Sequence, residues 1–170
     1  VTIKQGNLIL DKDIEFFYTC YCNTYMLHNS SPYLTKEFFY QLNNDMANKL
    51  VFIFAQQDGK RVASALNIIS EQSLYGRYWG ALEYIPGLHF ELCYYAGQEF
   101  CIQNKLKYFE GGAQGEHKLA RGFDPFKTFS NHFIANSDFK SAIESFLSKE
   151  KTHITMYTDE LEERSAFKKK

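Results

Sequence analysis

From Glu110 to Phe123 the chain reads Glu-Gly-Gly-Ala-Gln-Gly-Glu-His-Lys-Leu-Ala-Arg-Gly-Phe, its densest run of reactive side chains. Glycines in such a run let backbone N–H groups come close to an anion. Lys118 and Arg121 can neutralise a phosphate or an oxyanion as it develops. Glu116 or His117 can take a proton from an amine. Glu110 and Gln114 complete the segment as candidate binding groups for substrate or donor. A solvated loop with local salt bridges accounts for the same composition. The glycine spacing fits neither a phosphate-binding Gly-Lys-Ser/Thr loop nor a dinucleotide fingerprint.

Two further segments carry candidate binding groups. In Leu74–Gly80, Arg77 and Trp79 sit two apart on an expected strand and share a face. The arginine can pair with carboxylate or phosphate, and the indole can floor a groove; a core Trp79 and a structural ion pair at Arg77 are the competing reading. The third segment opens a helix at about His89. Helix N-termini carry partial positive charge and unpaired N–H donors. His89 and Glu91 fall in its first turn, and Tyr95 follows one turn below Glu91 as a possible proton donor. The competing reading makes His89 a capping or core histidine and Tyr95 a core residue.

Other chemistries lack their residues. The five histidines, His28, His89, His117, His132 and His153, show no ligand spacing on one element, so no metal site is expected. Cys20-x-Cys22 has the wrong spacing for a zinc or redox motif, and Cys93 and Cys101 read as small core residues. No Ser-His-Asp pattern and no nucleophile elbow is visible, which disfavours a covalent acyl-enzyme.

The elements that must position these groups follow from periodicity. Residues 1–10 read as a short strand and turn. Ile14, Phe17, Tyr21 and Tyr25 form one face of a helix. Thr35 caps a second helix, with Phe38, Leu42 and Met46 as its buried stripe. Leu50–Gln56 and Arg61–Ile69 are strands joined by an Asp58-Gly59 turn, and a third strand runs through 74–80. Short links make these three antiparallel. The helix at 89–104 crosses to a strand at 108–110, which can pair in parallel. A strand at 126–134 and a helix capped at Asn136, with Phe139, Ile143, Phe146 and Leu147 inside, complete the core. The residues 152–170 form a charged helix or tail. The result is a single α/β (α+β) domain.

At 170 residues the chain is long enough to bury about 68–70% of its extended-chain surface without staples. Rings make up 17% of it, so much of the core is aromatic and a tyrosine-lined groove is plausible. A net charge of −1 argues against a general nucleic-acid coat, and no DNA partner is expected. No apolar run approaches the roughly 20 residues of a membrane span, and Val1-Thr2-Ile3-Lys4 is not a signal peptide. A cytoplasmic location is expected, and the missing initiator Met points to an excised C-terminal portion of a longer protein.

Together the strings LYGRYWG, LHFELCYYAGQEFCI and FEGGAQGEHKLARGF, followed by Lys127-Thr128-Phe129-Ser130, resemble the bacterial peptidoglycan biosynthesis/recognition family. That family is similar to the FemAB/FemX aminoacyltransferases and belongs to the GNAT superfamily. The resemblance runs from about Asn23 to Glu150. It implies a GNAT-like fold, with a mixed, mostly antiparallel splayed sheet flanked by helices. It also implies transfer of an acyl or aminoacyl group from acyl-CoA or aminoacyl-tRNA to an amine acceptor, with no covalently held cofactor. FemX-like enzymes carry a Phe-Lys pair whose lysine stabilises the tetrahedral intermediate. His117-Lys118 is the nearest equivalent, with His in place of Phe. Full-length relatives have a preceding GNAT-like half.

One departure is plain. CoA-binding members show Gln/Arg-x-x-Gly-x-Gly/Ala before the central helix, where this chain reads Leu82-Glu83-Tyr84-Ile85-Pro86-Gly87-Leu88. Glu83 would repel a pyrophosphate. A recognition module for a cell-wall precursor or peptide, without chemistry, is therefore the rival expectation. Donor, acceptor and oligomeric state are not read from sequence.

Overall fold

The computed structural model describes residues 1–112 and 115–167. The chain divides into two compact units, Val1–Ala113 and Gln114–Lys170.

The first unit is built on a five-stranded sheet in the order β1 (Thr2–Gln5), β2 (Leu50–Gln57), β3 (Lys60–Ile69), β4 (Ser73–Ala81), β5 (Tyr108–Glu110). All neighbours are antiparallel except β4 and β5, which run parallel. This is the mixed, mostly antiparallel sheet expected from the sequence. Asp58 and Gly59 both take positive φ, at 52° and 78°, as a tight two-residue hairpin requires. Helices cover both faces of the sheet, which is why Leu50–Ala55 is apolar without alternation.

On one face lie α1 (Asp11–Leu27) and α2 (Lys36–Met46). Ile14, Phe17 and Tyr21 of α1 meet Phe39 of α2 and Phe52, Phe54 and Leu66 of the sheet. The rings meet largely edge to face, with Phe17 5.1 Å from Phe39 and 5.2 Å from Phe52. Thr35 Oγ1 accepts from the Phe38 N–H at 3.3 Å and caps α2 as expected. The α2 stripe is turned from its expected position: Phe39 is buried and Phe38 is 41% exposed. Both rings fit helical spacing with Leu42, and only the packing of Phe39 against Phe17, Tyr21 and Tyr78 decides between them.

At the head of α1, Asp13 is fully buried. Its carboxylate accepts from the Leu10 N–H at 2.8 Å, closing the helix start from within. It also pairs with Lys4 of β1 at 2.8 Å and Arg61 of β3 at 2.6 Å. The Arg61 guanidinium lies 4.3 Å over the Phe54 ring. Burial, the largest single influence, pushes the Asp13 carboxyl up, but Lys4, the Leu10 N–H and Arg61 together outweigh it and hold it below its ordinary value.

On the other face, α3 (88–103) packs Leu92 and Ala96 on Ile53, Ala63 and Ala65. It opens at Gly87, whose φ is 81°. It is α-helical over Leu88–Phe90 and Ala96–Gln103 but π-helical over Glu91–Tyr95. Gly97 is where β5 approaches: a Cβ there would lie 2.5 Å from the Phe109 ring.

The second unit holds a 3-10 helix, Glu116–Arg121, and α4 (Ser137–Glu163). Asn136 caps α4, its Oδ1 accepting from the Asp138 and Phe139 N–H groups, each at 3.0 Å. Two expectations fail here. Residues 126–134 form no strand: Phe126, Phe129 and Phe133 recur at intervals of three and four rather than two, and no neighbouring strand pairs with them. Phe139, Phe146 and Leu147 are not inside; they are 67%, 63% and 42% exposed, and α4 runs 27 residues with no buried position.

Candidate functional site

β4 is longer than its parallel partner. The two pair at Ser73–Tyr108, Leu74–Phe109 and Tyr75–Glu110, and there β5 ends while β4 continues to Ala81. Gly76 stands at the parting. A Cβ there would lie 3.5 Å from the Glu110 carbonyl oxygen and 4.0 Å from Gly111 Cα. On its other edge, β4 bulges. Asn67 pairs with Gly76 and Leu66 with Tyr78, so Arg77 is the additional residue. Bulges re-aim side chains and are frequent beside active sites.

A cleft of about 310 Å³ opens at this point. Arg77, Trp79, His89, Gly111 and Gly112 line it, with Asn67, Tyr78, Cys93 and Tyr94. Three segments singled out from the sequence thus converge: the strand 74–80, the start of the 88–103 helix, and the glycines after Glu110. The His89 ring sits 4.9 Å from Trp79 and 5.4 Å from Tyr94, edge to face with both. The π-helical turn places Cys93 at the cleft while Leu92 and Tyr94 are buried. Such turns recur at functional sites.

Glu91 and Tyr95 are exposed and do not line this cleft. Glu110 is exposed at the end of β5, opposite Tyr75. Gln114 lies outside the described residues. Glu116, His117, Lys118 and Arg121 fall on the 3-10 helix of the second unit. There the Glu116 carboxylate accepts from Tyr157 Oη at 3.1 Å and pairs with Arg164 at 3.3 Å, so it is already engaged by α4. Arg121 donates to the His117 carbonyl. Gly115, at φ 102°, makes room for the His117 ring, which a Cβ would meet at 2.5 Å.

Sequence reasoning missed Asn67, Tyr78, Cys93 and Tyr94 at the cleft because each also fits the pattern of a buried strand or helix. It also gives Tyr21 and Tyr25 only as part of a helix face, although with Tyr78 they line a second cleft of about 330 Å³ on the α1 side of β4. A hydroxyl at two stripe positions of α1, where Phe or Leu would pack as well, was the available signal. Burial pushes the Tyr25 and Tyr78 hydroxyls upward, helped by neighbouring tyrosines, so both are protonated donors at neutral pH.

Among the described residues the cysteines form no disulfide. Burial pushes the Cys20 thiol up to about 12 and Cys101 up to about 11, which removes both as nucleophiles at neutral pH. Among the described residues no three His, Cys, Asp or Glu side chains gather as a metal site, and no helix is long and apolar enough to cross a membrane.

Comparison with known proteins agrees with this architecture. No curated protein matches the chain. Among solved structures, it is similar to an aminoglycoside acetyltransferase from an uncultured soil metagenomic sample, in complex with sisomicin. Identity is 16% and the TM-score 0.52, over 79% of this chain and 95% of that one. At that identity the likeness concerns the fold, which is that of the GNAT acyltransferases. The FemAB-like family model, described as peptidoglycan biosynthesis/recognition, matches residues 1–169. The chain therefore belongs to the FemAB-like peptidoglycan biosynthesis/recognition family.

Proposed function

We propose that this protein is an N-acyltransferase that moves an acyl or aminoacyl group onto an amine, in cell-wall metabolism. The observation that carries the reading is the parting of β4 from β5 beyond Tyr75, beside the Arg77 bulge. It supplies a cleft at a strand edge, with an indole, an imidazole and a guanidinium on its walls. Family membership and the amine-bearing sisomicin held by the soil enzyme of like fold point the same way.

In this reading the donor's carbonyl lies in the cleft, along Gly76–Trp79. The amine lone pair attacks the carbonyl carbon, and the C=O electrons move to oxygen. Collapse of the tetrahedral intermediate expels the thiolate of a CoA donor or the ribose oxygen of an aminoacyl-tRNA, while the amine loses its proton. Direct transfer of this kind needs positioning rather than a covalent nucleophile. Arg77 serves as an anion-binding group at the cleft, and Arg121 is a candidate for that role through its motif in the second unit. His117 and Glu116 are the candidate proton acceptors, and Tyr157 and Arg164 hold Glu116.

Lys118 enters through its motif, as the oxyanion-stabilising cation. Lys118→Ala is expected to lower kcat by about 10²–10³, the usual cost of one oxyanion donor, with the circular dichroism unchanged. Unchanged turnover removes Lys118 from the mechanism. The reading as a whole is tested by calorimetric titration with acetyl-CoA and free CoA, then with an aminoacyl-tRNA. Saturable binding followed by amide formation supports it.

A recognition role without chemistry is the second reading. It is favoured by Glu83, an exposed carboxylate where CoA-binding relatives place a pyrophosphate cradle. Binding of a cell-wall peptide with no turnover on any donor would establish it.

A further inference from the structure

The second cleft, on the α1 side of β4, has a polar lining of unusual uniformity. Arg77, Tyr21, Tyr25 and Tyr78 line it with His28 and Ser30, and neither Asp nor Glu does. Tyr33, from the segment after α1, reaches over to Tyr78, their hydroxyls 2.9 Å apart. The Tyr25 ring stands 4.8 Å from Tyr21 and 5.8 Å from Tyr33.

One atom in this cleft is left over. Tyr21 Oη is buried, in a residue 1% exposed, and has no partner in hydrogen-bond geometry. A buried hydroxyl is normally satisfied, and an unsatisfied one on a residue that lines a cleft asks for a ligand acceptor. Arg77 supplies the charge. As the additional residue of the bulge it is exposed, its guanidinium 5.2 Å from the Tyr75 ring and donating to the Gly76 carbonyl. Arginine offers donors only, the tyrosine hydroxyls can each donate one hydrogen, and a planar carboxylate is the group that uses an arginine fork best.

Arg77, Tyr78 and Trp79 also line the first cleft. A ligand anchored in the second cleft therefore presents its other end at the bulge, where the two meet.

The geometry points to the α1–β4 cleft as a carboxylate-binding site that holds the acceptor, so that the acceptor is an amino acid or short peptide with a free carboxylate. This rests on the acyl-transfer reading for the word acceptor, but the binding site stands or falls by itself.

Trp79 is the only tryptophan in the sequence and lines both clefts, so its fluorescence reports occupancy without any donor. The test titrates the full chain with alanyl-alanine and with its C-terminal amide. The free acid is expected to give a saturable change at least tenfold tighter than the amide. Arg77→Gln and Tyr21→Phe are each expected to remove most of that preference. Tyr21→Phe without ligand is expected to melt no lower than the wild type, because the lost hydroxyl had no partner, and to lose the rise in Tm that the dipeptide gives the wild type. A Tm rise retained in Tyr21→Phe overturns the role of that hydroxyl.

Equal binding of acid and amide, or no saturable change with either at tens of millimolar, overturns the proposal. So does saturation by inorganic phosphate where the dipeptide gives none. Turnover on acyl-CoA with no carboxylate preference sinks this inference alone. Carboxylate binding with no turnover on any donor sinks the acyl-transfer reading and leaves the site.

Discussion

Gly80→Ala is expected to be the most damaging single-methyl substitution in the chain. A Cβ at Gly80 would sit 2.0 Å from the Cys20 carbonyl oxygen and 2.4 Å from its carbon. Both are backbone atoms of α1, so no rotamer change relieves the contact; the helix must lift from the strand. Overpacking of a core costs roughly 1–3 kcal/mol when side chains can give way, and here the effect is expected at or above the top of that range. At about 2–4 °C per kcal/mol for a domain of this size, Tm should fall by about 6–12 °C or more. Lifting α1 would also pull Thr24 Oγ1 from the Trp79 carbonyl, at 3.0 Å, and Asn23 Nδ2 from that of Ala81, at 2.6 Å. Gly76→Ala is the control, since its Cβ finds ordinary contact distances, with 3.5 Å the nearest. A Gly80→Ala protein that melts within a degree or two of the wild type would mean that α1 does not cross β4 so closely.

The second large effect is expected at Asp13. Asp13→Asn keeps the shape but removes the charge that joins β1, α1 and β3 through Lys4 and Arg61. Breaking a buried pair by removing one partner typically costs about 3–5 kcal/mol. The Lys4 and Arg61 side chains are 20% and 21% exposed and regain some water, so about 2–4 kcal/mol is expected at neutral pH. The pH dependence has a definite sign. The folded-state carboxyl titrates below the ordinary 3.8. Its contribution is therefore complete above that value and is lost as pH falls through the lowered one. Denaturant unfolding of both proteins should show a constant gap from pH 5 to 8 that narrows below about pH 4. A gap that persists unchanged into acid would assign the loss to packing instead of charge.

Much of the first unit was legible because its signals are local. Asp58-Gly59 admits few conformations other than a hairpin, and the stripe Ile14, Phe17, Tyr21 fixes one helix face. Parallel pairing of β4 with β5 followed from the length of the 88–103 crossover. The meeting of Arg77, Trp79 and His89 needed that topology as well as the residues. What escaped was decided by tertiary partners. Phe38 and Phe39 are adjacent rings on one helix, and only the rings of α1 and β4, Phe17, Tyr21 and Tyr78, choose between them. The bulge at Arg77 has no sequence signature of its own; it appears only as a slip between β3 and β4. In the second unit, Phe139 and Phe146 keep helical spacing without a buried face, so periodicity alone overstated the core.

The hydrogen bonds from Asn23 and Thr24 to the β4 backbone have a consequence for the protein in bulk solution. A strand that outruns its neighbour leaves a row of polar groups ready to recruit a strand from another molecule, the route to edge-to-edge aggregation and strand exchange. The Trp79 and Ala81 carbonyls are already taken by side chains of the same molecule. The site can thus stay open to a small ligand while closed to a second chain, and loosening Asn23 and Thr24 would trade solubility for access.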